Sequence, residues 1–213
     1  MSSMCQPHLS DVYNQHDFAS EAANCTRAGR LAERGGLDMQ SRASIRQGYV
    51  AGEFMTHTYR ISGEVELRGV PVLDQLNDHN ALFLSLERMY ISPLLDPATL
   101  TGNFAHGEVR KDTLGIVVLS QWRDGLPQRE GRYVGRDHLD REVLVVVAGF
   151  EVTGTIRLHS SVNVPNFVRT TPEHFIPIFD AHATLTARRS IVFRGGAILI
   201  NRNQIEVFAM LKD

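Results

Sequence analysis

Residues 59–67 of the chain read YRISGEVEL, and residues 150–158 read FEVTGTIRL. The two stretches share a glycine and two aliphatic positions at one constant offset: Gly63 with Gly154, Val65 with Ile156, and Leu67 with Leu158. Each stretch alternates polar with apolar side chains, as a strand with one wet face does. A segment that recurs in this way predicts an architecture in which both copies bury the same face.

The correspondence continues beyond these two strands. After one inserted residue and then a shorter loop in the second copy, the matched positions include Asp74 with Asn166, Phe83 with Phe175, Val109 with Ile198, and Ile116 with Ile205. Apolar spacing, rather than residue identity, persists over about sixty residues. We therefore predict a tandem repeat.

The pattern predicts a mainly β fold with short helices. It favours two tandem small β-sheet or barrel modules, Sm- or SH3-like in size and related by a pseudo-twofold axis. The modules span residues 57–121 and 143–213, joined by a polar connector at 122–142. Helical turns are expected at 72–77 and near 164–169, because the apolar residues there have helical spacing.

Residues 1–56 differ from the rest of the chain. They are rich in small and polar residues and show no strand alternation, so we expect disorder or marginal helix. Met55 is a candidate translation start. Cys5 and Cys25 both lie in this segment, so neither module holds a disulfide or a cysteine-based zinc site.

Composition favours an ordinary globular protein, with 43% hydrophobic residues, 22% charged residues and a net charge of -2. No apolar run is long enough to span a bilayer, and the first twenty residues lack an apolar leader, which predicts a cytoplasmic protein without membrane contact. Residues 57–121 carry five basic and eight acidic side chains, whereas residues 150–213 carry seven and five. This difference fits either modules packed through complementary rims or an anion site on the second copy.

The motifs of familiar enzymes are absent. The chain has neither glycine-rich phosphate loop, neither HExxH nor GxSxG, and no aspartate-rich calcium loop. We expect no cofactor and no metal, and no residue stands out as catalytic. Candidates for a site between the modules are Asp74, His79, Asn166 and His182. Asp74 and Asn166 are interpreted either as ligand contacts or as helix caps.

A second candidate surface is basic. Arg188, Arg189, Arg194 and Arg202 lie close in sequence in the second copy and could bind an anion or a nucleic acid. The net negative charge counts against nucleic acid.

Three functional classes therefore stay open. The first is a non-enzymatic scaffold, partner-binding or regulatory ligand-binding protein, with a protein partner or self-association favoured because open strand edges accept further strands. The second is an anion or nucleic-acid binder that uses the arginines of the second copy. The third is an enzyme with its site between the modules.

Overall fold

The computed structural model describes residues 46–129, 137–160 and 164–210. Ten strands form one open antiparallel sheet; their bounds are β1 Tyr49–Met55, β2 Tyr59–Glu66, β3 Phe83–Pro93, β4 Gly102–Arg110, β5 Ile116–Leu119, β6 His138–Val147, β7 Phe150–His159, β8 Phe175–Leu185, β9 Val192–Asn201 and β10 Ile205–Met210. Two short α-helices, α1 (Val72–Asn77) and α2 (Val164–Thr170), connect β2 to β3 and β7 to β8. Short 3-10 helices lie at Lys111–Thr113, Trp122–Gly125 and Arg202–Gln204.

The strand order across the sheet is the same in the two halves of the chain. The first half, β1 to β5, is ordered β4-β3-β2-β1-β5, and the second half, β6 to β10, is ordered β9-β8-β7-β6-β10. The halves join where β5 pairs with β9. Unlike edges therefore meet at the junction, and β4 and β10 form the two ends of the sheet.

A β-bulge bends each half at the same place. The β2–β3 ladder shifts register between Ser62 and Glu64, and the β7–β8 ladder shifts between Thr153 and Thr155. Arg88 and Asp180, across from these shifts, have positive φ angles of 48° and 47°. Bulges of this kind increase strand curvature.

The glycine within the second bulge is required by a close approach. A Cβ at Gly154 would lie 2.7 Å from the Cβ of Ala181 and 2.8 Å from the carbonyl oxygen of Phe179. Backbone cannot yield as a flexible side chain does, so a larger residue would force the two strands apart. This explains why the sequence pattern contains a glycine here.

The apolar side chains form two cores that share the junction strands. On β5, Val117 and Leu119 belong to the first core, whereas Ile116 and Val118 belong to the second. Because neighbouring side chains of a strand point to opposite faces, β5 is buried on both sides. Fully burying one such side chain contributes about 1.5–3 kcal/mol. The junction is thus a core element of both halves.

The prediction of a mainly β fold with short helices is confirmed, and so is a helix at 72–77. The finer prediction of two Sm- or SH3-sized modules is not confirmed, because the described strands form a single continuous sheet. The pseudo-twofold relation does not fit the junction: a twofold axis joins like edges, whereas β5 meets β9.

Strand β1 lies inside the segment for which the sequence favours disorder or marginal helix. It pairs with β2 on one side and β5 on the other, and Met55 is fully buried. A chain that began at Met55 would lack this strand. Residues 1–45, with Cys5 and Cys25, lie outside the described residues.

One further boundary and two matched positions of the repeat differ from prediction. Strand β6 begins at His138, within the predicted connector 122–142. Val109 lies opposite Leu84, and Ile200 lies opposite Ile176, so Val109 corresponds to Ile200 rather than to Ile198. Ile116 lies opposite Met55, and Val207 lies opposite the matching Val146, so Ile116 corresponds to Val207 rather than to Ile205. Among the described helices, none is both long enough and apolar enough to cross a membrane.

Candidate functional site

A polar seam joins the two halves beside the β5–β9 junction, and Asn77 at the end of α1 is its first element. The amide of Asn77 accepts a hydrogen bond from the backbone N–H of Phe175 at 2.7 Å and donates one to the carbonyl oxygen of the same residue at 3.1 Å. An amide side chain that satisfies both groups of one residue replaces a missing strand neighbour. Asn77 therefore fixes α1 against the start of β8.

Lys111 is a buried cation within the first half. Its ammonium donates to the carbonyl oxygens of Gln75 at 2.9 Å and Asp78 at 2.6 Å. Burial lowers the pKa of Lys111, and the charge of Asp78 opposes that change. The ammonium thus holds the end of α1 against the 3-10 helix at Lys111–Thr113.

The imidazole rings of His79 and His174 meet edge to face, with centroids 4.3 Å apart. Burial, followed by the nearby His79, Arg202 and Lys111, lowers the pKa of His174. Arg202 is positioned by its own backbone N–H, which donates to the carbonyl oxygen of His174 at 2.7 Å. The surroundings therefore favour the neutral form of His174.

Asn201 and Gln204 complete the seam from the second half. The buried amide of Asn201 donates to the carbonyl oxygen of Leu114 at 2.8 Å. The amide of Gln204 donates to the carbonyl oxygens of Asp112 at 2.7 Å and Leu114 at 3.1 Å. The Asn201 bond is buried and satisfies a carbonyl group at the turn before β5, whereas the Gln204 bond to Asp112 is exposed to solvent.

The four predicted inter-module candidates do not form one site. Asp74 and His79 lie on and just after α1, whereas His182 lies in the middle of β8, about 23 Å beyond Phe175 along the strand. Asn166 lies on α2 and is exposed. Only His79 belongs to the seam.

The helix-cap interpretation of Asp74 is wrong. The N-cap of α1 is Pro71, and Asp74 lies within the first turn. The carboxylate of Asp74 instead accepts a hydrogen bond from the backbone N–H of Gln128 at 2.6 Å. Asp74 thereby anchors the segment that leaves β5.

The four arginines do not form one basic patch. Arg188 and Arg189 precede β9, whereas Arg202 follows it, so they lie about 30 Å apart along the strand. Arg189 forms a two-pronged ion pair with Glu151 at 2.8 and 3.0 Å, and Arg188 donates to the carbonyl oxygen of Leu95 at 2.8 Å. Arg194 lies on β9 opposite His182. Their charges are dispersed and partly neutralised.

The two end strands of the sheet carry exposed apolar side chains. On β4, Phe104 is 50% exposed, and Phe83, at the start of the neighbouring strand β3, is exposed to the same extent. On β10, Val207 is 49% and Met210 42% exposed. We call the outward side of β4 the head edge and that of β10 the tail edge. An open strand edge presents unpaired backbone groups that can pair with another strand.

An acidic groove of about 340 Å³ lies beside the head edge. Its walls include Phe83, His106 and four carboxylates, Glu66, Asp74, Asp78 and Glu87, together with Arg68, which pairs with Glu66 at 2.7 Å. Arg46 donates to Glu87 at 2.7 Å and is the main cause that lowers the pKa of this carboxyl. Among the residues that the structure describes, no three histidine, cysteine or acidic side chains are placed to hold a metal ion.

The comparisons with known proteins find no relative. No family model matches the chain, no curated protein matches its sequence and no solved structure matches it. The function must therefore be argued from the geometry.

The sequence patterns missed Asn77, Lys111, Asn201 and Gln204, which make most of the seam. Their contacts join residues up to 98 positions apart, as between Asn77 and Phe175. One signal in the sequence could have pointed to Lys111. The chain has only two lysines and otherwise uses arginine, so a lysine at this position indicates a site that requires an ammonium group. A compact ammonium suits two carbonyl acceptors better than a planar guanidinium.

Proposed function

We propose that this protein is a non-enzymatic scaffold that associates with further copies of itself through the head and tail edges of its sheet. One observation carries the proposal: among the residues that the structure describes, β4 and β10 each pair with another strand on one side only, and each lies beside exposed apolar side chains. Proteins that stay monomeric usually protect such edges with short strands, charged side chains, bulges, prolines or covering loops. Strand β10 has two of these features, because it spans six residues and shifts register between Ile205 and Val207. Strand β4 has nine residues, none of them proline.

A duplication of one five-strand unit accounts for the way the chain is built. Its support is the shared strand order of the two halves and the matching bulges at Arg88 and Asp180. When two copies of such a unit pair through unlike edges within the chain, one edge of each kind stays free at the two ends of the sheet. The scaffold proposal follows from these two free edges, because they are of the two kinds that already pair within the chain.

The scattered arginines and the seam both count against the other classes. The seam is filled by hydrogen bonds between the halves, as the Asn77 and Asn201 contacts illustrate. The nucleic-acid alternative would need a clustered basic surface, and Arg188 and Arg202 lie at opposite ends of β9.

The proposal is tested by sedimentation velocity of the full chain over a wide range of concentrations. We expect the average mass to rise with concentration above the 23.8 kDa of one chain. Val207→Asp, which puts a charge on the tail edge, should reduce this rise. Tyr59→Asp is the control, because Tyr59 is 45% exposed but lies on β2, an interior strand. A constant single-chain mass would refute the proposal.

A further inference from the structure

We infer that copies of the chain join head to tail: β10 of one copy pairs with β4 of the next, in the register of the internal β5–β9 junction. This inference rests on the proposed self-association and names its direction and its contacts. The internal junction supplies the template, because each free edge corresponds to one of the two strands that already pair there.

The tail edge corresponds to β5. On β1, Gly52 lies opposite both Gly63 and Leu119, and on β6, Val143 lies opposite both Gly154 and Met210. Met210 therefore occupies the place of Leu119. Moving back along the two strands, Val207 occupies the place of Ile116.

The burial of these matched residues differs sharply. Ile116 is fully buried at the junction, whereas Val207, in the same position of the second half, is 49% exposed. On one face of the tail edge, Phe208, next in sequence, packs against the second core. On the other face, Val207 is exposed, whereas the matching Ile116 is buried at the junction with the other half.

The head edge corresponds to β9. Arg110 lies opposite Phe83 in the first half, as Asn201 lies opposite Phe175 in the second. Val109 thus matches Ile200, and His106 matches Ala197. Since the junction pairs Ile116 with Ile200 and Leu119 with Ala197, the inferred contact pairs Val207 with Val109 and Met210 with His106.

Strand β4 directs alternate backbone N–H groups away from β3, toward the side where another strand could pair. The N–H of Lys111 donates to the carbonyl oxygen of Leu82 on the β3 side. Hydrogen-bonding directions alternate along an antiparallel strand, so the N–H groups of Arg110 and Glu108 face away from β3. At the junction, the N–H of Asn201, which matches Arg110, donates to the carbonyl oxygen of Gly115 at 2.9 Å.

The surrounding side chains favour unlike edges. Asn77 on α1 reaches the backbone of Phe175, and Arg169 holds the matching place on α2. In the inferred contact the exposed Arg169 approaches Phe83 and the acidic groove beside the head edge. Two head edges would instead bring two acidic grooves together, which like-charge repulsion disfavours.

Variants that block one edge each give the decisive experiment. Glu108→Pro removes an outward N–H of the head edge and leaves the backbone hydrogen bonds of the β3–β4 ladder in place, but it also removes the carboxylate that accepts a hydrogen bond from Ser85 at 2.6 Å. The control Glu108→Gln keeps the outward N–H and an oxygen that can accept from Ser85. Val207→Asp blocks the tail edge, with Tyr59→Asp as its control. Each blocked variant is measured alone and in an equal mixture by sedimentation velocity, and its far-UV circular dichroism and thermal melt establish that it is folded.

If copies join head to tail, we expect each blocked variant alone to sediment as a single chain. Their mixture forms a complex of two chains and no larger, because one free tail and one free head remain to pair. Dimers of either blocked variant by itself would overturn the inference while leaving self-association intact. A native chain that stays monomeric at every concentration would instead refute the proposed function and the inference with it.

Discussion

The β5–β9 junction and the free edges are built from matching strands, yet their surfaces differ. At the junction, four consecutive pairs of aliphatic residues are buried, from Ile116 opposite Ile200 to Leu119 opposite Ala197. At the edges, the matching places hold the polar His106 and Glu108 on β4 and the exposed Val207 on β10. Matching strands thus carry apolar side chains at the permanent β5–β9 junction and a mixture of polar and apolar side chains at the free edges β4 and β10.

This difference teaches how a sheet can continue beyond one chain without aggregating. Purely apolar edges associate irreversibly, whereas polar and charged residues on an edge weaken indiscriminate pairing. The two halves also differ in charge, with an acidic excess in residues 57–121 and a basic excess in residues 150–213. Such a difference favours contacts of the first half with the second and makes them sensitive to salt.

The largest expected effect is a difference in stability between the same substitution at the junction, Ile116→Asp, and at the matching place on the tail edge, Val207→Asp. Ile116→Asp buries an unpaired carboxylate in the second core, which costs several kcal/mol against a total stability of about 5–15 kcal/mol. We expect this variant to unfold or to aggregate on expression. Val207→Asp, at the matching place on β10, should keep native circular dichroism and a Tm within a few degrees of the parent.

Thermal melts of the two variants, measured side by side, make this comparison. Equal loss of stability in both would show that Val207 is as embedded in the fold as Ile116. The correspondence between the tail edge and β5 would then carry no meaning for association.

A smaller effect is expected at the seam. Asn77→Ala leaves the N–H and carbonyl of Phe175 without their partners, at about 1–3 kcal/mol for each buried group left unpaired. We expect the urea midpoint to fall with an unchanged m-value. Asn80→Ala is the control, because Asn80 is exposed and only its backbone N–H is held, by Asp78. Equal midpoints for the two variants would argue against the seam as a fastening between the halves.

The smallest effect concerns pH. The pKa of His174 is lowered in the folded protein from its ordinary 6.5, chiefly by burial. The unfolded chain therefore binds a proton more readily, so the free energy of unfolding falls as the pH drops below about 6.5 towards the folded pKa. His174→Gln should flatten this dependence. Urea midpoints across that range measure it, and a slope that the substitution leaves unchanged would contradict the assignment.

The sequence could predict strand content and α1 because each has a local signature. Residues 59–67 and 150–158 alternate polar with apolar side chains, and the apolar residues of 72–77 have helical spacing. Strand β1 escaped prediction because Gly48 and Gly52 interrupt its pattern, and most of β4 because nearly all its side chains are exposed and show no alternation. Local patterns do not reveal strands that owe their place to neighbours distant in sequence.

The candidate site was harder to predict for the same reason. His79 was identified, but its partner ring His174 lies 95 residues away, and nothing local to either residue indicates the pair. The open edges were expected in general terms from the strand-rich sequence. Which strands are edges depends on the order across the sheet, and that order is a property of the whole chain.

Cross-linking across the inferred contact tests the central claim most directly. In a background with Cys5→Ser and Cys25→Ser, one chain carries Met210→Cys and another carries His106→Cys, because the template places these residues opposite each other. Residues paired across a ladder lie within disulfide range, whereas Asn103→Cys, the control partner, lies about 10 Å further along β4. We predict an oxidised heterodimer of the 210 and 106 variants, identified by mass spectrometry of the linked peptides, and little product with the 103 variant. Homodimers as the main product, or equal yield at 103 and 106, would contradict head-to-tail pairing in this register.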